Sequence, residues 1–179
     1  MNIFSKCICY FLRLPAEFKG MTFGKNSFIG PGYDFLFVNL SNVTVKDHVM
    51  IGKQAWIQTV DNGKISIGSG THIGRDVVLS ARKHIAIGNN CLLSYRVSIL
   101  DHDHNLNSSA SSPMQSGVTK GLAITIGNNC FIGANVCITK GVTLGDHCVV
   151  GINSVVAKSF PDNSVIAGNP AKRIKSTDD

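Results

Sequence analysis

The sequence predicts an all-β fold, a parallel β-solenoid of about six triangular coils. Three observations carry that reading. From Ile126 an aliphatic residue recurs at 126, 132, 138, 144, 150 and 156 without a slip. Four positions after most of these stands a small or β-branched residue: Cys130, Val136, Val142, Cys148, Ser154. Gly, Asn and Asp crowd the places between. A period of six fits neither a helix nor simple alternation along one strand. It fits short strands separated by tight corners, where Gly, Asn and Asp supply the unusual backbone angles. Three strands close one triangular coil, and stacked coils pair their strands in parallel around columns of aliphatics. An ordinary β-sandwich with frequent turns does not explain unbroken hexads.

The elements follow in chain order. Residues 1–20 are expected to form an N-terminal helix, because Ile3, Phe4, Cys7, Ile8, Phe11 and Leu12 fall on one helical stripe. A solenoid's first coil has exposed strand edges and an open core, so a capping helix is the first reading. Weak membrane-surface association is the second, with Lys6 and Arg13 as its charges. Residues 21–160 carry the repeat. Upstream of Ile126 the beat groups as Phe23, Ile29 and Phe35, then Val45, Ile51 and Ile57, then Ile67, Ile73 and Leu79, then Ile87, Leu93 and Ile99. The sets begin at 23, 45, 67, 87, 126 and 144, so one offset is the ideal 18 and the others exceed it by 4, 4, 2 and 21 residues. The excesses are loops expelled at corners, and the longest, residues 100–123, begins "LDHDHN" and runs into serines. These serines read as a lid or arm. Residues 161–179 form a closing tail, where Pro161 and Pro170 oppose strand pairing and Lys172, Arg173 and Lys175 cluster.

Composition bounds the partners. The chain has 179 residues, 44% of them apolar, which suits one compact domain. Its net charge of +6 welcomes phosphates, nucleotides or acidic lipid without choosing among them. Nucleic acid is not among the expected partners. The six cysteines stand at spacings of 2, 82, 39, 7 and 11, with no CxxC, and read as free thiols in a reducing compartment. The N-terminal segment matches no signal peptide and is too short to span a bilayer. The expected location is cytoplasmic, with the inner membrane face as the variant that the helix allows.

The run "IGNNCFIGANVCITKGVTLGDHCVVGINSVVAKSFPDNSVIAGNPAKRIK" resembles the C-terminal half of the hexapeptide-repeat acyltransferases. It is most similar to the galactoside, maltose and xenobiotic acetyltransferase branch and to relatives that O-acetylate bacterial surface polysaccharides. The resemblance implies a left-handed parallel β-helix and a homotrimer. It also implies acetyl-CoA as co-substrate, held in a groove between subunits and not as a resident cofactor. Carried over residue by residue, it places Lys172 and Lys175 near the nucleotide phosphates and makes Lys158 another CoA contact. Gly133-Ala134 and Gly151-Ile152 match backbone positions along the groove, although Ile152 is larger than the family's usual residue. Ala157 stands where relatives carry threonine.

Acetyl transfer to a hydroxyl needs a base, an oxyanion donor and alignment of two substrates. His102 falls on the family's catalytic base, and an imidazole suits that task near neutral pH. The amide near Ala134 is the implied oxyanion donor. Asp101 is expected to orient the imidazole or to bind the sugar. His72, and His104 two residues beyond the base, are further acceptor-side candidates. Asp103 reads as plain loop solvation, and His48, His84 and His147 as unpartnered surface residues. No metal is expected: the related γ-type carbonic anhydrases use histidines five apart, and the gaps here are 24, 12, 18, 2 and 43. An acyl-cysteine route is disfavoured, since Cys91, Cys130 and Cys148 occupy inward positions and Cys137 has no histidine in sequence reach. The reading is an acetyl-CoA-dependent O-acetyltransferase acting on a saccharide. N-acetylation of an amino-sugar nucleotide and a non-catalytic scaffold stay open as alternatives.

Overall fold

A computed structural model describes residues 3–34, 38–106, 112 and 115–178, with the side chains of residues 3–6 and 9 outside that description. After helix α1 (Ile3–Phe18), the chain winds through short strands. The first coil holds β1 (Thr22–Phe23) and β2 (Phe28–Ile29); Phe35, expected to complete it, lies outside the described residues. The second holds β3 (Val43–Val45), β4 (Met50–Ile51) and β5 (Trp56–Thr59). The third holds β6 (Lys64–Ile67), β7 (His72–Ile73) and β8 (Val78–Ala81), and the fourth β9 (His84–Ile87), β10 (Leu92–Leu93) and β11 (Ser98–Leu100). The fifth holds β12 (Ile124–Ile126), β13 (Phe131–Ile132) and β14 (Cys137–Ile138). The sixth holds β15 (Thr143–Leu144), β16 (Val149–Val150) and β17 (Val155–Val156). Corresponding strands stack into three parallel sheets, the three sides of a triangular prism.

Pairing follows the beat residue for residue. Ile87 aligns with Ile126 and Ile126 with Leu144 on the first sheet; Ile73, Leu93, Ile132 and Val150 align on the second; Leu79, Ile99, Ile138 and Val156 align on the third. All these side chains are buried. So are the small residues four positions on, Cys130, Val136, Val142, Cys148 and Ser154, which fill the corners of the core. The corners need left-handed backbone. Asn90, Asn129, Asn135 and Asn153 take positive φ there, and so do His48 and His147, which accounts for those two histidines as corner residues.

The insertions share one corner, between the third sheet and the first. The turn at 60–63 leaves after β5, Arg82 and Lys83 bridge β8 to β9, and the long excursion leaves after β11. The coils therefore leave two edges of the prism smooth and build a ridge on the third.

Two expectations change. The beat does not stop at Pro161. Phe160 pairs in parallel with Leu144, and β18 (Ser164–Ala167) continues the second sheet, with Val165 and Ile166 aligned on Val149 and Val150. Pro161 lies outside the strand and costs no ladder bond. After a cis peptide between Asn169 and Pro170, β19 (Lys172–Ser176) turns back antiparallel to β18 and finishes that sheet.

The helix also docks by a different face. Of the expected stripe, Ile3 and Phe4 have side chains outside the description, Cys7, Ile8 and Phe11 are exposed, and Leu12 is half-buried. Contact runs instead through Leu12, Arg13 and Ala16. The rim of the first coil is polar there and selects that face. Arg13 Nη1 donates to the Ser27 carbonyl at 3.0 Å, its guanidinium lies 4.6 Å from the Phe23 ring centroid, and the Tyr33 hydroxyl donates to the Leu12 carbonyl at 2.6 Å. The helix covers the first coil and leaves Tyr10, Leu14 and Phe18 exposed as well.

Candidate active site

The long excursion begins with a residue that has no contact with water. Asp101 is 0% exposed. Its Oδ1 accepts the Arg82 amide at 2.7 Å, and its Oδ2 accepts the amides of Lys83 at 2.7 Å and His84 at 2.9 Å. These three amides sit on the corner one coil below, so the carboxylate stitches the fourth coil to the third where the ladder is interrupted. A fourth group, His102 Nδ1, lies 2.9 Å from Oδ1. A carboxylate oxygen accepts and does not donate, so the contact is satisfied by the tautomer with its proton on Nδ1, which leaves the Nε2 lone pair free. His102 is itself 8% exposed.

The stem of the excursion is then closed by a short ladder. His104 and Val118 form an antiparallel bridge, Thr119 N–H donates to the Asp103 carbonyl at 2.7 Å, and Leu122 N–H donates to the Asp101 carbonyl at 2.8 Å. Arg82 clamps the return strand from below. Its guanidinium donates to the carbonyls of Val118 and Thr119 and to Asp61 Oδ2, the last at 2.8 Å. Asp103, expected to be simply solvated, pairs with Lys140 Nζ at 2.6 Å and so pins the stem to the fifth coil. Most of the serine segment expected to act as a lid lies outside the described residues.

The remaining candidates separate into places. Gly133-Ala134 and Gly151-Ile152 stand at the corner between the second and third sheets on the fifth and sixth coils. Gly133 is held to Val150 and Gly151 to Ile166 by their amides, and Ile152 projects outward at 66% exposure. Ala157 and Lys158 are exposed at the far end of β17, with Lys158 Nζ 5.6 Å from the Phe160 ring centroid. The closing segment crosses the top of the third sheet, where Val155 donates to Gly168 and Ala171 donates to Val155, and delivers Lys172 and Lys175 exposed on β19. These residues thus gather around the last coils.

Ala134 and His102 are not together in one chain. Lys140, which meets Asp103, comes six residues after Ala134, and β14 lies between them. The third sheet therefore separates the corner of Ala134 from the corner of His102. His72 is exposed in the middle of the second sheet between Met50 and Leu92, on another face from His102. His104 is exposed on the stem. His84, read as unpartnered, has Nε2 3.0 Å from Ser66 Oγ. The sharing of Asp101 between backbone and imidazole carries no sequence signal beyond the adjacency "DH".

Cys91, Cys130 and Cys148 are buried in one column, their thiols donating to the carbonyls of Gly127, Gly145 and Pro161 at 3.1, 3.2 and 3.3 Å. Cys137 faces outward on the third sheet, and burial and the nearby Asp103 charge push its thiol up, away from the reactive thiolate. Among the described residues no three His, Cys, Asp or Glu side chains gather as metal ligands would.

Residues 123–158 match the family profile described as hexapeptide repeat of succinyl-transferase. Over 135 residues the chain is 34% identical to galactoside O-acetyltransferase of Escherichia coli K12, covering 72% of this chain and 64% of that protein. Over 119 residues it is 34% identical to the putative lipopolysaccharide biosynthesis O-acetyl transferase WbbJ of the same organism, covering 63% of this chain and 61% of that protein. Over 175 residues it is 35% identical to an uncharacterized 24.8 kDa protein in the cps region of Klebsiella pneumoniae, covering 88% of this chain and 73% of that protein. The chain belongs to the hexapeptide-repeat acetyltransferase family. It spans less than two thirds of the length of the two E. coli family members. The fold is shared with AntD, an N-acyltransferase from Bacillus cereus solved in complex with dTDP and 3-hydroxybutyryl-CoA: TM-score 0.75, 23% identity, 92% of this chain and 87% of that one. The expected left-handed β-helix is the fold of this family member.

Asp101→Asn keeps the shape but sets an NH2 group against two of the four N–H donors, since each carboxylate oxygen accepts two. It is expected to lower stability by about 2–3 kcal/mol. A fall in the urea midpoint at unchanged m-value checks this; an unchanged midpoint contradicts the stitch.

Proposed function

We propose that this chain transfers an acetyl group from acetyl-CoA to a hydroxyl of a saccharide, in the assembly of a surface polysaccharide. The observation that supports this best is the Asp101–His102 pair, an imidazole whose Nδ1 is held by a buried, four-fold satisfied carboxylate. Family membership supplies the donor, and the names of the two E. coli relatives support a sugar acceptor.

In this reading His102 Nε2 takes the acceptor hydroxyl proton as that oxygen attacks the thioester carbonyl. The tetrahedral intermediate collapses, the C–S bond breaks, and the imidazolium returns the proton to the departing CoA sulfur. Asp101 does not touch the sugar; it fixes the ring and stabilises its charged form, as a buried carboxylate does for a paired histidine. The CoA phosphates lie against Lys172 and Lys175, with Lys158 beside the chain's exit and Gly133, Gly151, Ile152 and Ala157 along the pantetheine arm. Because one chain holds Ala134 and His102 apart, the oxyanion donor near Ala134 serves the His102 of another copy, which gives the homotrimer a chemical role. His72 and His104 serve the acceptor side only if a second copy brings them to the same groove.

His102→Ala is expected to lower kcat by about 100- to 10,000-fold, while Cys137→Ala leaves it within about twofold. CoA release followed with a thiol reagent, together with identification of an acetyl ester in the product, checks both. Near wild-type turnover by His102→Ala contradicts the mechanism, and an acetyl amide moves the acceptor to an amino sugar.

The face of α1 that carries Cys7, Ile8, Phe11, Leu14 and Phe18 is proposed to rest on an anionic lipid surface, with Lys19 and Lys25 exposed beside it. An apolar cleft of about 660 Å³ between Tyr10, Phe11 and Phe28 continues that face. The chain is expected to float with phosphatidylglycerol vesicles and not with phosphatidylcholine, and Phe11→Glu/Phe18→Glu to stay behind with its oligomeric mass unchanged. A variant that loses its oligomeric mass makes the face a contact between copies instead.

A further inference from the structure

The return of the long excursion leaves a second chemical feature beside the base. Gly121 is buried and passes directly over the corner below: a Cβ there would stand 2.9 Å from Lys83 N and 2.9 Å from Lys83 Cβ. Only glycine allows so close a crossing. The crossing shapes a cleft of about 370 Å³ lined by Arg82, Lys83, Lys120 and Gly121.

The charges of this cleft do not cancel. Arg82 is committed to Asp61 and to the carbonyls of Val118 and Thr119. The carboxylates nearby are likewise committed: Asp61 to Arg82, Asp101 to its four donors, and Asp103 to Lys140. Lys83 and Lys120 are exposed and form no ion pair among the described residues. Two lysines without an ion-pair partner thus line one concavity. The cleft is also tied to the base: the Lys83 amide donates to the carboxylate whose other oxygen holds His102 Nδ1. The cleft and the base are thus built on the same corner of the prism. The lysines assigned to CoA are elsewhere, beyond the sixth coil, so this cation pair serves the other substrate.

We propose that the acceptor carries a phosphate group, as a glycosyl phosphate or glycosyl diphosphate, and that Lys83 and Lys120 hold that phosphate while His102 deprotonates the sugar hydroxyl. The inference rests on the acetyltransferase reading above. It makes the substrate an activated sugar intermediate, upstream of the glycosyl transfer that would remove the phosphate, and not a finished neutral polymer.

The test presents a panel of hexoses to the full-length protein, each as methyl glycoside, as 1-phosphate and as nucleoside diphosphate sugar, with CoA release as readout. For the hexose that is used best, kcat/KM for a phosphorylated form is expected to exceed that for the methyl glycoside by about tenfold or more, the equivalent of about 1.4 kcal/mol. This preference should shrink as salt rises, since the contact is made by exposed charges. In Lys83→Gln/Lys120→Gln the preference should collapse toward one, and in Lys83→Arg/Lys120→Arg it should persist. Equal use of neutral and phosphorylated forms by the wild-type protein overturns the proposal. So does a rise in the KM for acetyl-CoA with acceptor preference unchanged in the Gln variant, which would give the cleft to the CoA phosphates. Calorimetric titration with acetyl-CoA runs alongside; no binding there overturns the transferase reading and the phosphate proposal with it.

Discussion

Everything in this molecule depends on register between coils. Apart from the antiparallel β19, each strand is only two to four residues long and is held by parallel bonds to the neighbouring coils. Such strands have no independent stability; they persist because an aliphatic residue of each lies in a continuous column. A chain that leaves the stack must therefore re-enter one coil higher in the same register, or every column above shifts. The excursion after β11 meets that condition, since Ile124 and Ile126 realign on Ile85 and Ile87. Where the chain leaves the ladder, the Asp101 carboxylate takes three amides of the corner one turn earlier, where β8 passes into β9. The candidate base is thus attached to the one side chain that repairs the stack. Orientation of His102 and integrity of the corner share a single physical cause.

That coupling has a consequence for the chemistry. A base on a free loop would lose much of its effectiveness to rotation, because proton transfer demands placement within hydrogen-bond reach. Here the imidazole is fixed by a group that cannot move without opening the fourth coil. The excursion itself is held by Arg82 from below and by Lys140 through Asp103 from the fifth coil. Three successive coils therefore contribute to one stem, and the stiffness of the prism is transferred to the site. The same corner gathers the cations Arg82, Lys83, Lys120 and Lys140 against the carboxylates of Asp61, Asp101 and Asp103.

The coils were legible because periodicity is a local code. Ile126, Ile132, Ile138, Leu144, Val150 and Val156 could be read as a column without any knowledge of pairing, and the excess residues between sets marked the corner that carries the loops. His102 stands out as a candidate through its place after Ile99 and through resemblance. What could not be read depended on residues that meet across coils. Nothing in "ILDH" shows that Asp101 is sealed by amides 17 to 19 residues earlier. Nothing in "KGLAI" shows that Gly121 crosses over Lys83 to form a cationic cleft. The docking face of α1 depends on a partner in the same way: the apolar stripe alone does not show that the polar rim of the first coil takes Arg13 and Ala16. Pro161 does not end the stack, because a proline between strands breaks no ladder bond.

The central claim is that Asp101 holds His102 with its proton on Nδ1, leaving Nε2 to act as base. Nitrogen-15 NMR of the full-length protein labelled in histidine tests it directly, with His102→Gln used to assign the signal. The account predicts a neutral His102 protonated at Nδ1, and loss of that single tautomer in Asp101→Asn. A neutral His102 protonated at Nε2, or an even mixture of the two tautomers in the wild-type protein, would contradict it.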